Sequence, residues 1–156
     1  MDKKVIEKAA EVISAKTGYF SGVIKGYDVP DLDGYAVLAL IDENGYPTAS
    51  TLAVAKADGI KWLTFATSPD SNKAKRIEKC NRASVCIASS EYNITLVGTI
   101  EIVTDLETKK GSWCDVMNDG THWSGYDDSN FCVLRFNTER YNLFFADDGS
   151  EAAGKI

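Results

Sequence analysis

Apolar and polar positions change their spacing several times along the chain, and each change marks an element. Val5, Ile6, Ala9, Val12 and Ile13 recur at helical spacing between Asp2, a residue suited to capping, and Gly18, a residue suited to closing a helix. Residues 3–16 therefore read as an amphipathic helix within an N-terminal segment of residues 1–18. A loop over 26–34 follows, and then three β-type runs, Tyr35 to Ile41, Thr48 to Lys56 and Ile60 to Ala66. They are separated by Asp42-Glu43-Asn44-Gly45 and Ala57-Asp58-Gly59, the chemistry of hairpin turns. Pro69-Asp70-Ser71 starts a second helix whose buried stripe is Ala74, Ile77 and Cys80 and which ends near Asn81.

Strands resume at Ala83 to Ala88 and Asn93 to Val103, with Gly98 placed as a bulge or bend would be. Leu106 to Met117 reads as helical and Asn118 to Asn130 as a polar and aromatic loop. Phe131 to Phe136 with Tyr141 to Ala146 read as a last hairpin, followed by a flexible tail over 147–156. Helices do not alternate with strands as a parallel sheet requires, G-x-G-x-x-G is absent, and nothing repeats at a period of 20 to 50 residues. The expectation is a mainly β fold, a closed or nearly closed barrel of about six to seven antiparallel strands with peripheral helices.

Composition narrows the function. At 156 residues, with 44% hydrophobic and 26% charged, the chain suits one globular domain spanning 1–156. Seventeen Lys and Arg against 23 Asp and Glu give a net charge of −6, which disfavours nucleic acid and anionic membrane as partners. The longest apolar run, Tyr35 to Ile41, is far short of the roughly 20 residues a membrane helix needs, and Met1 to Lys16 lacks a signal-peptide pattern. A soluble, cytoplasmic protein is expected. Cys80, Cys86, Cys114 and Cys132 contain no C-x-x-C pair and His122 is the sole histidine, so no metal site is expected, the thiols read as reduced, and hydrolase triads have little to build on. A solvated role fits His122, and no catalytic side chain is assigned.

Against this acidic background Lys73, Lys75, Arg76, Lys79 and Arg82 are concentrated within ten positions. Thr67, Ser68, Ser71 and Asn72 precede their helix, whose N-terminus offers unpaired N–H donors and partial positive charge, an arrangement that binds phosphate. The plainer reading is a Ser71 cap with a solvated lysine face. The order Phe65-Ala66-Thr67-Ser68-Pro69-Asp70-Ser71-Asn72-Lys73-Ala74-Lys75-Arg76-Ile77, preceded by two strands and followed by Ala83-Ser84-Val85-Cys86, resembles the flavin-binding segment of the pyridoxamine 5′-phosphate oxidase-like family. Gly125-Tyr126-Asp127-Asp128, Val133-Leu134-Arg135-Phe136 and Glu139-Arg140-Tyr141 are similar to its bacterial general stress protein branch.

That resemblance implies a split β-barrel homodimer with FMN, or FAD in its place, at the subunit interface. Ser71, Asn72 and Lys73 would hold the phosphate, with Thr67 and Ala66 approaching it. Ser50, Thr51, Leu52 and Ala53 would run along the ribityl chain and ring, and Asn93 would offer its amide to the ring. The small face Ala49, Thr51, Ala53, Ala55 is compatible with a flat ring lying close to the backbone. Lys56, Trp113 and Trp123 are the candidate substrate contacts, the two tryptophans as part of an aromatic group with Met117 and Tyr126, residues of a kind more often found as core or dimer contacts.

Thr51 stands where the oxidases carry a phosphate-binding arginine. No tryptophan or arginine–histidine pair follows Tyr141, and Asn142 replaces a tryptophan common in the stress branch. Pyridoxamine phosphate oxidation is therefore not implied. The expected function is FMN-dependent electron or hydride transfer to an unidentified small molecule, with a donor such as NAD(P)H. The alternatives are a flavin-binding or stress-sensing protein without turnover, and a barrel serving only as an interaction module.

Overall fold

The computed structural model describes residues 2–17, 35–114, 117 and 122–156. Gly18, the loop over 26–34 and residues 118–121 of the polar loop lie outside the described residues. Eight antiparallel strands form a single curled sheet: β1 (Tyr35–Ile41), β2 (Pro47–Ala53), β3 (Lys56–Asp58), β4 (Trp62–Thr67), β5 (Arg82–Ala88), β6 (Tyr92–Val103), β7 (Cys132–Phe145) and β8 (Glu151–Lys155). The path is β2-β1-β5-β6-β7-β4-β3, and β8 pairs with β7. Among the described residues three α-helices accompany it, α1 (Asp2–Lys16), α2 (Asn72–Lys79) and α3 (Leu106–Ser112). This is a split β-barrel of the mainly β class that the patterning predicts.

Alternation in each strand sends one set of side chains inward. Leu38 and Leu40 of β1, Leu63 and Phe65 of β4, Val85 and Ile87 of β5, Leu96 and Ile100 of β6, and Leu134 and Phe136 of β7 fill the barrel. Burying a side chain of this size contributes roughly 1.5–3 kcal/mol, so this interior dominates stability. Val5, Ala9 and Ile13, spaced four apart, bring one stripe of α1 into the same core. Lys8 on α1 also reaches Asp147 at 2.6 Å and Asp148 at 3.2 Å, tying the helix to the β7–β8 turn.

Four element readings need correction. The run Thr48 to Lys56 is not one strand, because β2 ends at Ala53 and the chain passes through Val54 and Ala55 to form β3 at the opposite end of the sheet path. Between the two strands the Ala55 N–H donates to the Thr64 carbonyl at 2.8 Å. The expected final hairpin is instead the continuous strand β7, whose polar stretch over 137–140 is where it exchanges β4 for β8 along one edge while β6 follows the other. Opposite this exchange the β6 register shifts between Val97 and Gly98. A Cβ at Gly98 would overlap the Asn137 carbonyl oxygen, so only glycine allows the strands this close.

The tail is not loose either. Residues 147–150 turn, Ser150 N–H donates to Asp148 Oδ1 at 2.9 Å, and β8 adds to the β7 edge with Ala152 buried. Finally, the helix predicted from Leu106 to Met117 stops at Ser112, after Gly111.

Candidate functional site

β4 delivers the chain to the start of α2, and the polar groups there form one connected unit. Ser71 caps the helix by accepting from the Ala74 N–H at 3.1 Å, and its hydroxyl also accepts from Thr67 Oγ1 at 3.1 Å. Both lone pairs of Ser71 Oγ are thus used while its proton remains available to donate. The backbone N–H groups of Asn72 and Lys73, first and second in the helix, have no intrahelical acceptor. No acidic residue occupies the first turn, and among the described residues Lys73 forms no ion pair. These groups fit an anion such as a phosphate. Asn72 is exposed and Lys73 half-buried.

The other cations of α2 lie in a groove that Asn72 also lines. Lys75, Arg76 and Lys79 line a groove of about 250 Å³ whose opposite wall carries Asp42 and Glu43. Arg76 donates to Thr48 Oγ1 at 3.2 Å, and its Nε stands 3.7 Å from Glu43. Charges of both signs offset each other in this groove, and Lys73 does not line it.

A strip of small side chains runs along the outside of the barrel. Ala49 and Thr51 on β2 are exposed, Ala53 is buried, and Ala55 disappears into a second apolar cluster. Leu52 packs against the main core instead, so of the four β2 residues only Thr51 and Ala53 share the outward face. Since β2 ends the sheet path, its far backbone edge is not part of the ladder. Lys56, exposed, opens β3 opposite Thr64.

The second cluster is built on the outer face of β4 and β7. Ala55, Met117, Phe131 and Val133 are its buried members, with Ala66, Trp113, Trp123 and Tyr126 packed against them. Trp113 and Trp123 meet the Phe131 ring edge-on, at centroid distances of 5.2 and 5.1 Å. Both tryptophans are thus packing residues, and as such they form a wall next to Ala66. Thr64 and Ser112, both buried, share a 3.1 Å hydrogen bond that docks α3 on β4. Burial pushes the Cys132 thiol beside this cluster up to about 11, so it stays protonated.

Asn93 lies apart from the α2 unit. It pairs with Ala88 at the end of β5, six residues from Arg82, which follows α2. At about 3.3 Å per residue that is roughly 20 Å along the strand. Its Oδ1 accepts from Thr95 Oγ1 at 3.0 Å and lies 3.9 Å from Cys86 Sγ. Register places Thr51, Val37, Cys86 and Thr95 in one row across four strands, with Ala49, Ala39, Ser84 and Val97 in the next. Val37 and Phe144 on this outer face are 39% and 44% exposed.

The structure therefore gathers Thr67, Ser71, Asn72 and Lys73 at one point and Ala66, Trp113 and Trp123 at another beside it. Thr51 lies exposed on the small-residue strip with Ala53 buried at its end, and Asn93 stands a strand length away. Sequence reasoning missed Lys109, which is buried on α3. A lysine among Glu107, Thr108 and Lys110 carries no signal of burial.

A split barrel with an anion-ready helix start and a small-residue strip defines a class of protein. The chain belongs to the pyridoxamine 5′-phosphate oxidase family, whose model matches residues 31–145. No curated protein sequence matches it. Among solved structures, a protein from Clostridium acetobutylicum related to general stress protein 26 of B. subtilis shares 23% identity at a TM-score of 0.75, covering 100% of this chain and 97% of its own. A pyridoxamine 5′-phosphate oxidase-related, FMN-binding protein of Nostoc punctiforme shares 17% identity at a TM-score of 0.58, covering 78% of this chain and 87% of its own. A heme-binding protein of Mycobacterium smegmatis shares 18% at a TM-score of 0.66, covering 96% of this chain and 57% of its own. These likenesses establish the fold. Among the described residues no helix is long and apolar enough to cross a membrane.

Proposed function

We propose that this protein is an FMN-dependent oxidoreductase that works as a homodimer, with a small-molecule substrate and a donor such as NAD(P)H. The observation that carries the reading is the start of α2, where the Ser71 cap, two helix N–H groups and Lys73 occupy one turn that holds no acid. Bound there, FMN would supply transfer of electrons or hydride. Thr67 holds Ser71 in place, Lys73 and the helix end bind and orient the phosphate, and the Thr51–Ala53 strip leaves room for a flat ring. Trp113, Trp123 and Phe131 exclude water from the Ala66 side.

The homodimer reading draws support from the position of Asn93. An amide roughly 20 Å along β5 from α2 meets the same flavin when a second copy presents it. The outer rows of Ala, Thr, Ser and Val, with Val37 and Phe144 exposed, suit such a face-to-face contact. FAD in place of FMN would use the same helix end for its first phosphate.

A second reading, flavin binding without turnover, draws on the strip itself, since alanines and a threonine provide no acid or base. The test is the visible spectrum of the purified protein after FMN is added and excess removed, followed by anaerobic addition of NADH or NADPH. About one flavin per chain, bleached by either donor, supports the oxidoreductase. Retained flavin that neither donor bleaches favours binding without turnover. A protein that takes up heme and no flavin overturns both.

A further inference from the structure

Lysines are almost never fully buried unless paired, yet Lys109 on α3 is 7% exposed. Its ammonium donates to the Asp128 backbone carbonyl at 2.9 Å and stands 5.7 Å from the centroid of the Phe131 ring. The loop it reaches is already ordered around Asp128. The Asp128 carboxylate accepts from Ser124 N at 3.0 Å, Ser124 Oγ at 3.1 Å and Asn130 N at 2.8 Å. The Asp128 carbonyl also accepts from Phe131 N at 3.0 Å, and Trp123 Nε1 donates to the Asn130 carbonyl at 2.9 Å. A continuous line of contacts therefore runs from Lys109 through Asp128 to Phe131 and the two tryptophans on it.

Among the described residues one carbonyl, one ring face and the charge of the Asp128 carboxylate offset the buried ammonium, and an apolar side chain of the same length would fill the space without that desolvation cost. Removing the ammonium leaves no orphaned acceptor, because the Asp128 carbonyl keeps its bond from Phe131 N. What the charge does is fix the 122–131 loop against α3, which is itself anchored on β4 by Ser112 and Thr64.

We propose that Lys109 is a positioning residue for the candidate flavin site. It clips the 122–131 loop to α3 and so holds the Trp113, Phe131 and Trp123 block against Ala55 and Ala66, as the wall that sets how closely a flat ring and its reaction partner approach. This inference rests on the flavin reading above and adds to it a residue that acts through the wall rather than on the ligand.

The experiment uses the full chain as wild type, Lys109→Met and Asp128→Ala, the last releasing the same loop from its other end. Three quantities are measured: the thermal midpoint, FMN affinity by fluorescence titration, and the emission of bound FMN. Acrylamide quenching of indole emission without flavin is measured alongside, with Trp62 as a constant background. Lys109→Met should keep its thermal midpoint and hold FMN affinity within about threefold, since the phosphate end is untouched. It should raise the indole quenching constant about twofold as the loop loosens, and it should change bound-FMN emission, with Asp128→Ala moving both signals the same way. A Lys109→Met protein with wild-type quenching and wild-type flavin emission overturns the proposal. So does one whose affinity falls in step with its thermal midpoint, the mark of a merely structural residue. A wild type that takes up no FMN removes the flavin reading, and this inference with it, and is recognised because the failure precedes any substitution.

Discussion

Replacing Lys73 with alanine separates the phosphate end of the site from everything else. The side chain lies in the first turn of α2, half-buried, with no ion-pair partner among the described residues. Its removal therefore frees no buried acid and leaves the Ser71 cap and its bond from Thr67 in place. A hydrogen bond between charged groups contributes about 1.5–3 kcal/mol when well shielded. Half exposure lowers that to about 1–2 kcal/mol through screening. At 1.4 kcal/mol per tenfold, FMN affinity should fall about 5- to 30-fold. Riboflavin has the same ring and ribityl chain without the phosphate, so its affinity should stay within about twofold of wild type. Lys75→Ala is the matched control, removing the same charge from the same helix on the groove that Asp42 and Glu43 face. Flavin fluorescence titrations at 50 and 300 mM salt read all of these, and the FMN loss should shrink as salt rises. Equal losses for FMN and riboflavin, or a Lys75→Ala loss as large as that of Lys73→Ala, refute the placement of phosphate at this helix end.

Gly98→Ala should destabilise the barrel by about 1–3 kcal/mol in urea unfolding, because the new Cβ must push the Asn137 carbonyl away where β6 and β7 cross the bulge. Hydrogen bonds from Ser150 and Lys8 hold the exposed Asp148 carboxyl at about 2, below its usual 3.8. A depressed acid adds stability above its unfolded value and loses it as pH falls through its folded one. The urea midpoint should therefore decline between about pH 4 and pH 2, and Asp148→Asn should show a shallower decline in that window. Cys132, raised to about 11 by burial, should be the slowest thiol to react with iodoacetamide at pH 8, followed by mass spectrometry; modification as fast as at Cys80 would contradict its place in the cluster.

The elements that sequence made legible are those decided locally. Period-two alternation in β1, β5 and β6, the Asp42–Gly45 turn and the Ser71 cap each depend on residues within a few positions of one another. Lys73 and Ser71 were legible for the same reason, since a helix start is a local object. Glu151-Ala-Ala-Gly-Lys has almost no intrinsic strand preference and becomes β8 because the β7 edge supplies partners for its backbone. The polar stretch over 137–140 reads as a turn until β4, β6 and β8 surround it, and the break at Val54 and Ala55 takes the chain to β3, which pairs with β4 at the opposite end of the sheet path. Tertiary structure also decided the fate of the aromatic residues. The sequence favoured core or dimer contacts over a pocket for Trp113 and Trp123, and packing on Phe131 sets them against the second apolar cluster. Lys109 is the extreme case. A helix surface can be read from spacing, but which polar residue is folded under a loop is set by contacts between segments remote in sequence, and no local pattern encodes them.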